Sequence, residues 1–161
     1  MKNIFIGSDK SGFLLKEAVK DYLLENGYTV SDIGTLNEDQ PLPYYQVAEI
    51  GAKKIQNNEF ERGILICGTG MGMSIVANKH EGVYAAACES VYAAEKSRAI
   101  NDANVLCMGG WIIAPIMGVE MAKTFLNTAF TQNLEDWRAR NIEKFRIAVR
   151  EIGKASFHKK P

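Results

Sequence analysis

The chain has no net charge and lacks a long hydrophobic run. Its 161 residues include 19 lysines and arginines and 19 aspartates and glutamates, which gives a formal net charge of zero at pH 7. A broad positive field for nucleic acid or an anionic membrane surface is therefore not expected. No apolar stretch approaches the roughly 20 residues that a membrane-spanning helix needs. The amino-terminal segment reaches Gly7, Ser8 and Asp9 too early for a signal peptide.

The chain is also poor in cysteine and histidine. Its three cysteines, Cys67, Cys88 and Cys107, are an odd number and lie far apart, and there are two histidines. The sequence contains no CxxC pair and no histidine–cysteine cluster with zinc spacing. These features argue against a disulfide scaffold and indicate reduced thiols in the cytoplasm. We expect a cytoplasmic protein with no metal or other cofactor, no nucleic-acid partner and no membrane partner.

What the chain does contain is an alternation of short apolar runs and helical patterns. Runs typical of buried strands occur at "NIFIGSD", "YTVSDIG", "GILICG", "VYAAACE" and "NVLCMGG". Helical spacing follows each run, with helices predicted near 72–79, 91–100 and 115–127 and a last one near 135–152. This alternation indicates an α/β fold, a five-stranded parallel sheet covered by helices on both faces. We assign residues 1–152 to one domain and 153–161 to a flexible basic tail.

Ligands of such sheets bind beyond the carboxyl ends of the strands. Asp9 ends the first predicted strand, Cys67 the third and Cys88 the fourth, and Gly109 and Gly110 end the fifth. Of these residues, Cys67 alone opens a glycine loop. This strand end is therefore the first candidate for a functional site.

The loop after Cys67 reads Gly-Thr-Gly-Met-Gly. Gly68, Gly70 and Gly72 permit tight turns and close backbone approach, and amides at the start of a helix attract anions. A dinucleotide-binding fingerprint would need GxGxxG, but Met73 stands in the place of its third glycine. No GK[ST] follows, so this is not a Walker loop. Taken alone, the glycine pattern is a weak sign of a ligand site.

Cys67 permits two interpretations. A cysteine at the end of a buried strand is usually a small, inert hydrophobic residue. The start of a helix, however, stabilises a thiolate. A thiolate beside preorganised amides can attack carbon, or can remove a proton from carbon next to a carbonyl. The same amides would then bind the resulting oxyanion.

Three stretches resemble the ribose-5-phosphate isomerase B family, which includes the galactose-6-phosphate isomerase subunits. They are "GSDKSGF", "ILICGTGMGMSIVANK" and "SRAINDANVLCMGG", and the similarity covers residues 3–130. The resemblance implies a Rossmann-like three-layer α/β/α sandwich with an extra carboxyl-terminal helix. It also implies metal-free aldose–ketose isomerisation of a sugar phosphate through an enediolate. The implied assembly is a homodimer, or a dimer of such dimers, with sites shared between subunits and the last helix at the interface.

The resemblance assigns roles to individual residues. The family's catalytic base falls on Cys67, and the aspartate after its first strand falls on Asp9. The family's asparagine, which reaches the enediolate region from the partner subunit, falls on Asn101. The segment that holds substrate oxygens matches the residues of the loop, namely Gly68, Thr69, Gly70, Met71 and Gly72.

The sequence departs from the family at positions that concern the substrate. Lys10 stands where the family usually has histidine, and Ile100 replaces the histidine credited with opening the sugar ring. Trp111 takes the place of a family arginine. The family's phosphate-binding stretch is replaced by "NLEDWRARN", which contains Arg138 and Arg140.

Lys10, Arg138 and Arg140 are the candidate phosphate ligands. Each has a structural alternative. Lys10 would otherwise be a solvated lysine at a loop edge, and Arg138 would pair with Glu135 on one helix face. Asp9 is expected to position substrate hydroxyls, together with Tyr44 or Tyr45 of the "PLPYY" loop.

These residues together predict an aldose–ketose isomerase. Its substrate would be a ribose 5-phosphate-like, galactose 6-phosphate-like or tetrose phosphate sugar. The loss of the ring-opening histidine favours a tetrose 4-phosphate, whose blocked terminal oxygen cannot close a furanose ring. The alternative is a noncatalytic partner subunit or sugar-phosphate binding module of the same fold. A Rossmann-type cofactor enzyme is a more distant alternative.

Overall fold

The computed structural model describes residues 2–158 and places one parallel sheet between two layers of helices. The strands are β1 (Asn3–Ser8), β2 (Thr29–Asp32), β3 (Gly63–Cys67), β4 (Ala85–Ala87) and β5 (Val105–Gly109). The helices are α1 (Phe13–Glu25), α2 (Tyr44–Gln56), α3 (Met71–Ala77), α4 (Val91–Ala99), α5 (Pro115–Asn127) and α6 (Asp136–Phe157). All neighbouring strands are parallel, in the order β2-β1-β3-β5-β4. The predicted five-stranded parallel sheet is therefore confirmed.

Side chains of the central strands alternate between two hydrophobic cores, because successive residues of a strand point to opposite faces. Ile64 and Ile66 of β3 pack in the core beneath α1, α4 and α5. Leu65 and Cys67 pack in the core beneath α2 and α3. Every residue of β3 and β5 is buried, which explains why both strands are unbroken apolar runs in the sequence.

The last helix differs most from its predicted bounds. The sequence pattern predicts an end near residue 152, but α6 continues to Phe157. Gly153 does not stop the helix, because good helix formers, Lys154 and Ala155, follow it. Residues 153–157, predicted as part of a flexible tail, are therefore helical. His158 Nε2 lies 3.0 Å from Glu81 Oε1, and the remainder of that predicted tail, 159–161, lies outside the described residues.

Helix α6 lies on the surface of the chain. None of its 22 residues is buried. Trp137, Phe145, Val149 and Ile152 expose large apolar side chains along it. Such a helix in an isolated chain leaves an apolar surface without cover.

Asp102, in the turn between α4 and β5, connects α6 to the rest of the chain. Its Oδ1 accepts a hydrogen bond from Arg98 Nη1 at 3.0 Å. Its Oδ2 accepts hydrogen bonds from Arg146 Nη1 and Arg150 Nη2, both at 2.9 Å. The backbone of Asp102 has a φ of 51°, which aspartate and asparagine tolerate better than most residues. One carboxylate thus joins α4 and α6.

Candidate active site

Three loops meet at the carboxyl edge of the sheet. β3 lies between β1 and β5, with Ser8 opposite Ile66 and Cys67 opposite Gly109. The loops that follow these strands then contact one another through backbone hydrogen bonds. Gly110 N–H donates to the carbonyl of Cys67 at 2.8 Å, and Asp9 N–H donates to that of Ile66 at 3.2 Å. This junction fixes the Cys67 loop from both sides.

The Cys67 thiol is held beneath the first turn of the glycine loop. Its side chain is 5% exposed, and Sγ accepts a hydrogen bond from Gly70 N–H at 3.2 Å. Gly70 has a φ of 77°, and a Cβ at that position would lie 2.9 Å from the carbonyl carbon of Met108. Only glycine fits there, because a side chain would meet both strain and backbone. Helix α3 begins at the next residue.

The other two thiols lie away from this loop. Burial raises the pKa of Cys107 well above its ordinary value, and the negative charge that Cys67 and Cys88 would carry raises it further. Burial also raises the pKa of Cys88, against a hydrogen bond with Ser97 that lowers it. Both are therefore poor sources of thiolate. Cys67 is the one cysteine whose sulfur contacts a loop amide among the described residues.

Two of the remaining loop residues, Thr69 and Gly72, are half-buried. Thr69 Oγ1 accepts a hydrogen bond from Met71 N–H at 3.4 Å, and the Met71 side chain is exposed. The ring of Tyr44, the first residue of α2, lies over Gly72, where a Cβ would be 2.7 Å from the ring. Tyr45 packs edge-on against Tyr44, with ring centroids 5.8 Å apart. Tyr44 is therefore the tyrosine that touches the loop.

Trp111 contacts a different residue of the loop, Gly68, where a Cβ would lie 2.8 Å from the indole ring. The backbone N–H of Trp111 donates a hydrogen bond to the carbonyl of Gly68 at 3.0 Å. The sequence alone left Trp111 without an assigned place. The available signal was its position directly after Gly109 and Gly110, at the carboxyl end of a central strand.

Asp9 and Lys10 lie on the loop after β1. Asp9 Oδ1 accepts a hydrogen bond from Gly12 N–H at 3.0 Å. Burial raises the pKa of Asp9, although the amides of Gly12 and Ser11 act to lower it. Lys10 is exposed and forms no ion pair within residues 2–158. The structure thus brings Asp9 and Lys10 to the same edge of the sheet as Cys67.

Asn101 lies at the other edge. It follows α4 and precedes Val105, the first residue of β5, whereas Cys67 pairs with Gly109 at the end of β5. Asn101 lines a groove of about 360 Å³ that Ile100 also lines, between the α4–β5 turn and α6. A single chain therefore does not bring Asn101 to Cys67.

Arg138 and Arg140 are exposed in the first turns of α6. In the part of the chain that the structure describes, neither forms a hydrogen bond or an ion pair. The alternative pairing of Arg138 with Glu135 is thus not found there. The polar contacts between α6 and the rest of the chain are made by Arg146 and Arg150, and by His158 directly after the helix. Arg138 and Arg140 therefore do not join the Cys67 loop of their own chain.

Residues 2–158 contain neither a metal-binding cluster nor a membrane-spanning helix. No group of three or more histidine, cysteine, aspartate or glutamate side chains is placed to hold a metal ion. No helix within that range has both the length and the apolarity to cross a membrane.

The same fold, a five-stranded parallel sheet between helices, is found in solved isomerases of sugar phosphates. The chain belongs to the Ribose/Galactose Isomerase family, whose sequence model matches residues 4–144. This membership confirms the predicted family, the α/β fold and the isomerase activity. It therefore disfavours the alternative of a noncatalytic module.

Individual relatives act on sugars of different size. The chain is 62% identical over 156 residues to a 4-deoxy-4-sulfo-D-erythrose isomerase of Clostridium sp. (strain MSTE9), covering 97% of this chain and 98% of the relative. It is 38% identical over 130 residues to a D-erythrulose-4-phosphate isomerase of Pectobacterium atrosepticum, covering 81% and 86%. The solved ribose-5-phosphate isomerase B of Clostridium thermocellum superposes with a TM-score of 0.80 at 35% identity, covering 93% and 99%.

Proposed function

We propose that the protein interconverts the aldose and ketose forms of a four-carbon sugar that carries an anionic group on C4. The observation that carries this proposal is the buried Cys67 thiol, which accepts the Gly70 N–H within the glycine loop. The similarity to isomerases of 4-deoxy-4-sulfo-D-erythrose and D-erythrulose 4-phosphate supports the four-carbon length. The activity would be exercised in the cytoplasm, where the three free cysteines stay reduced.

The reaction proceeds by two proton transfers at carbon. The Cys67 thiolate removes the proton from C2 of the aldose, and the C2 electron pair becomes the double bond of an enediolate. The carbonyl electron pair moves onto the oxygen of C1, which takes up the proton of the C2 hydroxyl. The proton held by the thiol then returns to C1, which leaves a carbonyl at C2 and a hydroxyl on C1 and completes the ketose. Amide N–H groups of loop 68–72 and the Thr69 hydroxyl donate hydrogen bonds to the enediolate oxygen, where negative charge develops.

Other residues of the same chain bind the substrate. Asp9, fixed by Gly12 N–H, accepts hydrogen bonds from substrate hydroxyls. Tyr44 covers the loop at Gly72 and excludes water from one side of the enediolate. Lys10, exposed at the same edge, attracts the anionic group of the substrate.

Asn101 completes the site from a second copy of the chain. In its own chain it lies at the amino edge of the sheet, away from Cys67. A homodimer would cover the exposed apolar side chains of α6, such as Phe145 and Val149, and would bring Asn101 of one copy to Cys67 of the other.

The side chain beside Asn101 supports an open-chain substrate. Ile100 is apolar and cannot move a proton between a ring oxygen and an anomeric hydroxyl. A tetrose or tetrulose with a blocked C4 has no hydroxyl that can close a furanose ring. Such a substrate reaches the site with its carbonyl free, so no ring-opening group is needed.

The test is a substrate panel followed by NMR in deuterium oxide. It compares 4-deoxy-4-sulfoerythrose, erythrose 4-phosphate, ribose 5-phosphate and a hexose 6-phosphate. We expect the highest kcat/KM with a four-carbon substrate and deuterium incorporation at C1 or C2 through exchange at the thiol. Ribose 5-phosphate or the hexose phosphate outpacing both four-carbon sugars would contradict the proposal.

A substitution at Ile100 provides an internal comparison. Ile100→His restores an acid–base group suited to neutral pH, and we expect it to improve ribose 5-phosphate turnover more than tetrose turnover. Ile100→Gln is the matched control, because it is polar but does not titrate. If the two variants change ribose 5-phosphate turnover equally, the missing ring-opening group does not explain the preference for a four-carbon substrate.

A further inference from the structure

The Trp111 ring is both exposed and fixed at the catalytic loop. Its side chain is 74% exposed. A Cβ on Gly68 would lie 2.8 Å from Cε3 and Cζ3 of the indole and 2.9 Å from Cδ2. The six-membered half of the ring therefore lies against Gly68, the residue directly after Cys67. The hydrogen bond from the backbone N–H of Trp111 to the carbonyl of Gly68, at 3.0 Å, holds this contact in place.

The opposite side of the indole is free to meet a ligand. Nε1 belongs to the five-membered half of the ring, away from the Gly68 contact. No side-chain hydrogen bond of Trp111 occurs within residues 2–158. Nε1–H is an uncharged hydrogen-bond donor, and it is carried by a large neutral ring. We call the loops that follow the five strands, around Cys67, the mouth of the site.

Positive charge is scarce around this mouth. The loops after the five strands span 9–12, 33–43, 68–70, 88–90 and 110–114. They contain one cation, Lys10, and four acidic residues, namely Asp9, Glu38, Asp39 and Glu89. At the other edge, Arg98, Arg146 and Arg150 beside Asn101 all donate to Asp102. A ligand with two negative charges finds little compensation from these groups.

The charge of the terminal group distinguishes the two kinds of four-carbon substrate. A phosphate monoester has a second pKa near 6, so it carries close to two charges at pH 7. A sulfonate carries one charge throughout this range. Removing a doubly charged group from water costs more, and arginine pairs are what normally offset that cost. A neutral indole donor, with one lysine on the contacting loop 9–12, suits the single charge.

We propose that Trp111 selects a C4 sulfonate over a C4 phosphate. The proposal rests on the four-carbon isomerase activity proposed above. The indole donates Nε1–H to a sulfonate oxygen and occupies the space in which a cation would stabilise a phosphate dianion. Selectivity then arises from the absence of charge as much as from the hydrogen bond.

The first test compares variants at position 111. Trp111→Arg adds a bidentate cation, and we expect the ratio of kcat/KM for sulfoerythrose to kcat/KM for erythrose 4-phosphate to fall about ten- to a hundred-fold. Trp111→Phe keeps a neutral ring without the donor. It should lower sulfonate turnover about two- to ten-fold without any gain for the phosphate. Trp111→Lys repeats the charge test if the arginine variant does not fold.

The matched control is Ile116→Arg. It adds the same charge on an exposed side chain of α5, outside the loops around this mouth, and should leave the ratio unchanged. A Trp111→Arg variant with the wild-type ratio, or an equal shift in Ile116→Arg, would overturn the proposal.

The second test uses the wild-type protein and the titration of the substrate. Below pH 6 the phosphate becomes a single anion like the sulfonate. We expect the preference for sulfonate to shrink as the pH falls from 8 to 5, and to change less in Trp111→Arg. Ionisations of the enzyme cancel in the ratio of the two substrates. A ratio that stays constant over this range would overturn charge selection.

The two proposals fail in different ways. If neither four-carbon sugar exchanges its proton, the isomerase proposal fails. If both exchange and the phosphate is faster, the isomerase stands and the role of Trp111 does not.

Discussion

At the scale of single residues, the three cysteines differ in environment. A variant of Cys67, compared with a variant of Cys88, separates a role in catalysis from a role in packing. We expect Cys67→Ala to lower turnover by about 10²- to 10⁴-fold, because the general base is lost. Cys88→Ala removes a thiol that is equally buried but lies away from the loop. It should retain turnover. Steady-state kinetics at matched folded fractions, checked by circular dichroism, makes the comparison.

Retention of wild-type turnover in Cys67→Ala would return Cys67 to the role of a small core residue. Loss of activity in both cysteine variants would indicate a general loss of structure instead.

Asp9 gives a prediction about pH. Its pKa is raised above the ordinary value of 3.8 by burial, so the carboxylate that accepts substrate hydroxyls forms at a higher pH than usual. The proton is lost, and kcat/KM rises, as the pH increases through that raised pKa. We expect an acid-side inflection above pH 3.8 in kcat/KM for the sulfonate substrate, whose own charge stays constant.

The comparison for this prediction is Asp9→Asn, which cannot ionise. Its kcat/KM should be low and without that inflection. An inflection that persists unchanged in Asp9→Asn would assign the titration to another group.

At the scale of secondary-structure elements, the position of α6 depends on one carboxylate. Asp102→Asn retains a residue that tolerates the φ of 51° but removes the charge that Arg146 and Arg150 contact. We expect faster hydrogen exchange in α6 from Ile142 to Phe157, while α1 and α5 exchange as in the wild type. An unchanged exchange rate in α6 would show that its apolar contacts suffice to hold it.

The junction of α1 with β2 rests on a buried lysine. Lys16 is fully buried, and its Nζ lies 2.6 Å from Asp32 Oδ2 and 2.6 Å from the carbonyl of Thr35. We expect Lys16→Met to lower the free energy of unfolding by about 3 kcal/mol, because the largely buried carboxylate of Asp32 loses its closest partner. Lys20→Met, which removes the more exposed partner of Asp32 at 3.1 Å, should cost less. Urea unfolding measures both, and an equal loss would contradict the assignment.

At the scale of the whole molecule, the positions of Cys67 and Asn101 predict a site shared by two chains. Cys67→Ala and Asn101→Ala proteins should each be inactive. After subunit exchange, a heterodimer holds one site with both groups intact. Statistical mixing should restore about a quarter of wild-type turnover.

A second mixture controls for this result. Asp9 lies at the same edge of the same chain as Cys67, so Cys67→Ala mixed with Asp9→Ala leaves each site with one defect. This mixture should stay inactive. No recovery in the first mixture, with exchange verified by mass-tagged subunits, would place both groups in one chain.

The sheet and the position of Cys67 at the end of β3 could be predicted from adjacent residues alone. Unbroken apolar runs such as β3 arise because both faces of a parallel strand are buried, and this burial can be read from adjacent residues. The glycine loop follows from the same local pattern. The quoted motifs pointed to the family for the same reason, since they lie within these continuous segments.

The contacts between loops and the position of the last helix became visible in the folded chain alone. Trp111 contacts Gly68, and Tyr44 contacts Gly72, across separations that no periodicity encodes. The same holds for Asn101, whose place at the amino edge depends on the direction of β5. The predicted end of α6 was wrong because the helix propensity of the residues after Gly153 outweighs the destabilising effect of that glycine. Contacts between distant segments are set by the packing of whole elements, and local sequence patterns do not specify that packing.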